Sequence, residues 1–384
     1  MNANDRLAKR MTRALAAACA LLLPGLMCVS CGGAGKALSE RTMMALDVVL
    51  ESGLQQHGVP GALAGAWIEG DGSWVARGGR ANIESGEVPQ AADKVRIGSI
   101  TRTFVATVIL QLVEEGKLSL DDRLSKWEQR VPGSENITVR MLLNNTSGLF
   151  SYTDAPEFWG RLFSEPTKAW TPGELVDIAV AHPPVFAPGE GYRNSGTDYI
   201  LLGMILEKVS GGKASREIKK RVCDRLELQN TYLPEKPDLP APRMNGYMPD
   251  PSSPDRGSSD LINITTLTPY AWTDGGMVST IDDLKVWAKA NAEGELISAT
   301  MQKERLALVP SGDPQYGLGI VVTASGYLGH SGALPGYNCS MYYHPRQKIT
   351  VIVLLNRYPG GAEGMSDEIT GQIVKTLRGK AAPD

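Results

Sequence analysis

Residues 96–104 read Arg-Ile-Gly-Ser-Ile-Thr-Arg-Thr-Phe and place a serine just before a strongly apolar helical pattern. From Phe104 to Glu115 the apolar side chains recur at helical spacing, and a glycine ends the pattern. Ser99 therefore lies at a helix start, among free backbone N–H groups and near the positive end of the helix dipole. Arg102 follows three residues later on the same helix face, within reach of Ser99. A serine at this position can also simply cap the helix.

Two shorter motifs follow along the chain. Tyr192-Arg193-Asn194 lies on a loop that leads into an apolar helix, and His330-Ser331-Gly332 lies between strand-like segments. Alone, each motif is a weak signal, because a single histidine is more often a hydrogen-bonded structural residue than a catalytic one. Their order behind Ser99 makes them informative.

The three pieces, in this order, resemble the active-site set Ser-x-x-Lys, Tyr-x-Asn and His/Lys-x-Gly of serine β-lactamases and penicillin-binding enzymes. The chain is identified as a member of this superfamily, closest in pattern to D-alanyl-D-alanine carboxypeptidases and class C β-lactamases. The resemblance covers roughly residues 38–378, and a literal Ser-x-x-Lys at Ser210 is set aside because it runs into a double glycine that ends a helix. The longer segments that carry it are Phe104 to Asp122, Ile137 to Leu149, Gly275 to Leu284 and Tyr316 to Gly319.

The resemblance implies a role for each matched residue. Ser99 would attack a carbonyl carbon and form an acyl-enzyme, Tyr192 would relay the proton, and His330 takes the third-motif position. Backbone N–H groups of Ser99 and Ala333 would form the oxyanion hole. The expected substrate-binding residues are Asn194, Ser331, Gly332 and Ala333, with Trp272, Tyr152 and Trp159 either lining the cleft or lying in the core.

Arg102 departs from the family pattern, in which a lysine shares or relays the serine proton. Arginine has a pKa above about 12 and cannot act as a base. Three outcomes stay open. Arg102 acts electrostatically, lowering the pKa of Ser99 or Tyr192 and leaving Tyr192 or His330 as the base. It impairs acylation and leaves a non-catalytic penicillin- or peptidoglycan-binding protein. Or it serves hydrolases tuned for easier esters.

The surroundings of the third motif bear on the substrate. A peptidoglycan stem peptide or a penicillin carries a carboxylate, which needs a cation or several donors once it is desolvated. No lysine or arginine occurs between Arg305 and Arg346. The sequence therefore predicts weak turnover of D-alanyl-D-alanine peptides and better turnover of small neutral esters.

The order of helical and strand patterns predicts an α/β fold. Strands are expected at Ala62 to Ile68, Trp74 to Ala81, Tyr316 to Thr323, Tyr337 to His344 and Ile349 to Leu355. They would form one mixed, mainly antiparallel sheet built from residues 38–100 and 275–380, flanked by helices. Residues 101–274 would be a mainly helical insertion, and the whole would be one catalytic unit with its site in the cleft.

Residues 1–31 resemble an export signal, because basic residues precede a short apolar run. Val29-Ser30-Cys31-Gly32 resembles a bacterial lipobox, so we expect a protein that is either secreted or lipid-anchored through Cys31 at the outer face of the cell membrane. The formal net charge of -3 gives no indication of nucleic-acid binding. Two cysteines outside this segment, Cys223 and Cys339, are expected to be buried free thiols, although a disulfide is open. No metal or organic cofactor is implied, and we expect a monomer.

Overall fold

The computed structural model describes residues 36–236, 238–250, 260–267, 269–309, 312–358 and 364–379. The predicted export segment and Cys31 lie outside these ranges. No helix within them combines the length and the apolar character needed to cross a membrane. Cys223 and Cys339 are both buried free thiols, as the sequence predicts.

The elements alternate between a sheet drawn from both ends of the chain and a helical middle. The helices are α1 (Glu40–His57), α2 (Thr101–Glu114), α3 (Val139–Leu143), α4 (Pro156–Ser164), α5 (Pro172–Val180), α6 (Gly196–Ser210), α7 (Ala214–Ile218), α8 (Trp272–Gly275), α9 (Ile281–Glu293), α10 (Ala299–Arg305) and α11 (Met365–Arg378). The strands are β1 (Gly61–Ile68), β2 (Gly72–Gly79), β3 (Val95–Arg96), β4 (Tyr247–Pro249), β5 (Leu261–Asn263), β6 (Val278–Ser279), β7 (Gln315–Tyr316), β8 (Val321–Val322), β9 (Leu328–Leu334), β10 (Tyr337–His344) and β11 (Ile349–Leu355).

Seven strands form the main sheet in the order β2-β1-β11-β10-β9-β8-β7, and every neighbouring pair is antiparallel. This confirms the predicted α/β class and the sheet built from both chain ends. Two short two-stranded sheets, β3-β6 and β4-β5, lie outside it.

Two details of the sheet differ from the sequence prediction. The single strand expected from Tyr316 to Thr323 is two short strands, β7 and β8, because the chain turns at Gly319 in the left-handed region with φ 71°. The strand β9 was not predicted as such, since its sequence Leu-Gly-His-Ser-Gly-Ala-Leu has two glycines and little strand preference. The third motif therefore lies within a strand and not between strands.

The sheet is covered on both faces, and β11 shows why. Its seven residues are all buried, and successive side chains point to opposite sides. Ile352 and Leu354 belong to the core that includes α2 and α9, whereas Val351 and Val353 belong to a second core. The second core contains the apolar sides of α1 and α11. A continuous apolar strand is thus required, because each face buries side chains worth roughly 1.5–3 kcal/mol apiece.

The helix α2 lies at the centre of the larger core. Ten side chains of α2 are almost completely inaccessible to solvent. One of them is Phe104, whose ring stacks on that of Trp287 of α9 with centroids 4.3 Å apart. Trp287 Nε1 also donates a hydrogen bond of 2.8 Å to Thr103 Oγ1. Packing on all sides fixes the start of α2, which carries Arg102 and directly follows the turn that contains Ser99.

A buried carboxyl group lies in the first turn of the neighbouring helix α6. Ser147 Oγ donates a hydrogen bond of 2.7 Å to Asp198 Oδ1, and Asp198 Oδ2 has no partner among the described residues. Burial raises the pKa of Asp198 to about 8. In the unfolded chain the same group ionises near pH 3.9. Between these values only the folded state keeps the proton, so the stability that this group contributes is lost as the pH rises from about 4 through about 8.

We expect Asp198→Asn, which mimics the protonated acid, to remove this component of the pH dependence. The wild type should lose up to about 1.4 kcal/mol of unfolding free energy per pH unit relative to the variant across that window. Urea unfolding near pH 5 and near pH 8 measures the difference, with Asp177→Asn on exposed α5 as the matched control. Equal pH slopes for the wild type and Asp198→Asn would contradict a protonated Asp198.

Candidate active site

A cavity of about 530 Å³ joins residues from all three sequence motifs. Its lining contains Ser99 and Arg102 from the first motif and Asn194 from the second. From the third it contains the predicted group His330, Ser331, Gly332 and Ala333. Seven of the nine predicted site residues therefore meet in one place. Tyr192 and Trp272 are not among the described residues that line this cavity.

Close backbone contact holds Ser99 against strand β9. A tight turn, Gly98–Ile100, precedes α2, and Gly98 has the left-handed φ of 55°. A Cβ on Gly98 would come 2.7 Å from Ala333 N, and one on Gly332 would come 2.5 Å from Ser99 N. Both glycines are therefore required for this approach. Strand β8 pairs with β9 only at Leu328 and Gly329, which leaves this part of the β9 edge to the turn.

This contact brings the backbone nitrogen of Ala333 close to the turn that carries Ser99 and its own amide. Two such N–H groups are the donors that a tetrahedral oxyanion requires. Ser99 itself is partly exposed, and within the described part of the chain its hydroxyl makes no hydrogen bond. A carbonyl group entering the cavity can therefore approach Ser99 Oγ without displacing a side-chain partner.

Arg102 is fixed in a buried ion pair with Asp274. Arg102 Nε and Nη2 donate hydrogen bonds of 2.9 and 2.6 Å to Asp274 Oδ1, and Nη1 donates to Asn194 Oδ1. Tyr152 O–H donates to the second oxygen, Asp274 Oδ2, at 2.8 Å. Burial opposes the arginine charge, but Asp274 together with Tyr316 and Tyr199 outweighs it, and the pKa of Arg102 is raised above its ordinary value. Arg102 is thus a permanent cation that cannot accept the Ser99 proton.

Asp274 is a residue of the cavity lining that the sequence analysis did not identify. It directly precedes Gly275-Gly276, the start of a segment that carries the family resemblance. Its carboxylate lines the cavity and is paired with the one residue that departs from the family motif. Two features of the sequence could have pointed to Asp274: an acid next to a segment of the family resemblance, and an arginine that needs a counter-ion. The pairing spans 172 positions and could not be assigned without the fold.

His330 is held in a neutral form. Its Nδ1 lies 2.5 Å from Ser331 O, and its Nε2 lies 3.0 Å from Tyr316 O–H. A carbonyl oxygen only accepts, so Nδ1 carries the proton and the Nε2 lone pair accepts from Tyr316. Burial, with Arg102 adding to it, lowers the pKa of His330 to about 3. Both ring nitrogens are therefore engaged, and His330 positions the site and does not serve as the resting base.

Tyr192 lies behind this histidine. Its ring centroid is 5.7 Å from that of Tyr316, which in turn contacts His330. Burial raises the pKa of Tyr192, and Tyr316 adds to the increase while Arg102 opposes it. Arg102 thus lowers the pKa of Tyr192, as the electrostatic alternative expects, but burial and Tyr316 outweigh it.

The aromatic residues divide between three places. Trp159 lines the Ser99 cavity, as does Tyr270, whereas Tyr152 is completely buried. Trp272, which was expected in the substrate cleft, instead lines a separate cavity of about 390 Å³. Its backbone has a φ of 37°, a left-handed conformation that is rare for a bulky residue and that no sequence rule predicts. The Ser-x-x-Lys sequence at Ser210, which was set aside, lies at the end of α6 as expected, with Gly211 in the left-handed conformation.

The sequence profile described as Beta-lactamase matches residues 46–373. The chain belongs to the beta-lactamase family. Members of this family with the present fold are serine hydrolases, a group that includes amidases and penicillin-binding proteins.

Named relatives agree with this placement. Penicillin-binding protein 4* of Bacillus subtilis is 29% identical over 281 residues, which cover 68% of this chain but only 60% of the relative. Protein flp of Staphylococcus aureus strain MW2 is 25% identical over 361 residues, covering 89% of this chain and 68% of that protein. A D-stereospecific amidohydrolase from a Streptomyces species has a similar structure, with a TM-score of 0.74 at 29% identity, covering 87% of this chain and 96% of the other. D-amino acid amidase from Ochrobactrum anthropi SV3, in complex with L-phenylalanine, shares the fold with a TM-score of 0.78 at 23% identity, covering 88% and 99%.

The Arg102–Asp274 pair leads to a prediction about stability. Asp274→Asn leaves a buried arginine charge without its counter-ion, and we expect it to lower the free energy of unfolding by about 3–5 kcal/mol. The double variant Arg102→Met with Asp274→Asn removes both charges and should recover most of that loss. Urea unfolding of the wild type and of the two variants measures both effects. A cost below about 1 kcal/mol for Asp274→Asn would contradict the buried pair.

Proposed function

We propose that this protein is a serine hydrolase that cleaves an amide or ester through an acyl-enzyme on Ser99. The observation that carries the proposal is the close backbone contact between the Ser99 turn and β9, which brings the Ala333 nitrogen to the turn that carries Ser99. Membership of the beta-lactamase family supports it. The similarity to a D-stereospecific amidohydrolase at 29% identity favours D-configured acyl donors.

The proposed reaction has two stages. Ser99 Oγ attacks the carbonyl carbon, the oxyanion is stabilised by the amides of Ser99 and Ala333, and the leaving group departs as an amine or alcohol with the proton that Ser99 loses. Water then attacks the ester on Ser99 and releases the acid. Since Arg102 cannot take a proton and both ring nitrogens of His330 are engaged, proton removal from Ser99 is the weak step. Esters with good leaving groups should therefore acylate Ser99 faster than amides.

D-alanyl-D-alanine carboxypeptidase and β-lactamase activities stay the finer alternatives within this proposal. They require the cavity to hold a substrate carboxylate. Arg102 would have to give up Asp274 to do this, and Arg193 is paired with Asp154 at 2.8 Å. We therefore expect both activities to be weaker than the hydrolysis of substrates that lack a carboxylate.

A non-catalytic protein that binds penicillin or peptidoglycan is the second candidate function. The engaged ring nitrogens of His330 and the permanent charge of Arg102 favour it, because neither residue offers a resting base. Both candidates would work at the cell surface if residues 1–31 direct export and Cys31 is lipidated, which we propose from the basic and apolar pattern of that segment.

Covalent labelling separates the two candidates. We expect a fluorophosphonate to add one adduct to the wild type by intact mass, and Ser99→Ala to abolish it while the melting temperature is kept. Ser210→Ala is the matched control and should label like the wild type. Labelling that persists in Ser99→Ala, or that maps to Ser210, would show that the nucleophile is wrong. An unlabelled wild type that still binds a penicillin reversibly would establish the binding protein instead.

A further inference from the structure

One acidic side chain in the cavity has no role in the mechanism above. Asp367 lies in the first turn of α11, lines the Ser99 cavity and is largely buried. Its polar neighbours are the hydroxyl groups of Ser331 on β9 and Tyr342 on β10. Its Oδ1 atom is buried and has no hydrogen-bond partner among the described residues.

An acid in a first helical turn commonly serves only to complement the helix dipole. Asp367 does not fit this simpler explanation, because its neighbours belong to the sheet and to the third motif. Ser331 in particular is the side chain that follows His330 in the site. Asp367 therefore lies beside the third motif, in the lining of the cavity where substrate is expected.

The charges of the cavity are otherwise balanced. Its two arginines, Arg102 and Arg193, are paired with Asp274 and Asp154 respectively. Asp367 is the third acid in the lining, and the described lining contains no third cation to match it. A substrate carboxylate beside Ser331 would face this unmatched acid, at a cost in desolvation and like-charge repulsion.

We propose that Asp367, together with Ser331, forms a subsite for a primary ammonium group of the substrate. The proposal rests on the hydrolase function above and names its substrate class: amides or esters with a cationic group close to the scissile carbonyl. An ammonium group supplies three donors, and Asp367 is a partly exposed acid of the cavity lining whose polar neighbours are two hydroxyl groups. A metal ion fits less well, since no group of three or more potential ligands occurs within the described residues.

Ammonium binding also agrees with the electrostatics of the acid. Burial raises the pKa of Asp367, which shows that its charge is poorly compensated in the free protein. A cation placed beside it lowers that pKa again and favours the ionised form. Specificity then arises from both attraction of cationic substrates and rejection of anionic ones.

Three p-nitroanilides that differ in charge test the subsite. They are D-alanine p-nitroanilide, its N-acetyl derivative and its N-succinyl derivative, which are cationic, neutral and anionic about one unit below the α-amino pKa of about 8. Each kcat/KM is corrected by the uncatalysed rate. We expect the wild type to prefer the cationic over the anionic substrate by at least about tenfold, in line with a charge-assisted contact.

Asp367→Asn keeps the shape of the side chain and removes its charge. We expect the ratio of the cationic to the neutral substrate to fall at least about tenfold, with turnover of the neutral substrate little changed. Glu368→Gln, the exposed next residue on α11, is the matched control and should leave all ratios unchanged. Melting temperatures check that the variants fold. If Asp367→Asn does not fold, the preference of the wild type for the cationic over the anionic substrate decides the question.

The outcomes separate this proposal from the hydrolase function. Turnover of the neutral substrate with an unchanged ratio in Asp367→Asn, or with no wild-type preference for the cation, would overturn the subsite alone. A lack of turnover of all three substrates, with no labelling of Ser99, would overturn the hydrolase and the subsite with it.

Discussion

The active site depends on one buried ion pair, Arg102 with Asp274. The pair joins α2 to α8, and through Asn194 and Tyr152 it also fixes the second-motif loop and the aromatic core. A buried charge is tolerated only if it is matched, so neither residue can change alone without a large cost. The arginine at the motif position and the acid before Gly275 are therefore best understood as a single unit.

Because of this ion pair, Arg102 cannot act as a base in the site. The charge of Arg102 is balanced by Asp274, so the pair contributes little net charge near Ser99. His330 is neutral, and both of its ring nitrogens are hydrogen-bonded. The proposed oxyanion position depends on the backbone contact between the Ser99 turn and β9, and it needs no titrating group. Asp367 then gives the cavity a negative character that a carboxylate-bearing substrate would not tolerate. The result is a site organised for transition-state charge and substrate selection, with a weak step at proton removal.

Much of the fold and part of the site could be predicted from sequence, for identifiable reasons. The order of the three motifs located Ser99, and the period-two and apolar patterns gave β1, β10 and β11 almost to the residue. Side-chain direction was harder, because Tyr192 and Trp272 lie on segments whose backbone is set by tertiary contacts. Asp274 and Asp367 were not predicted as site residues, because their contacts are with residues far away in the sequence and no local pattern indicates such contacts.

The acylation rate of Ser99 in two lysine variants tests the central claim most directly. In Arg102→Lys, Asp274 should hold the new ammonium group protonated, so the second-order rate constant for a fluorophosphonate should stay within about threefold of the wild type. In Arg102→Lys with Asp274→Asn, burial without a counter-ion lowers the lysine pKa and frees a neutral amine. The rate constant should then rise at least about tenfold, the low end of what positioned proton transfer contributes. Equal acceleration in the single variant, or none in the double variant, would contradict the account.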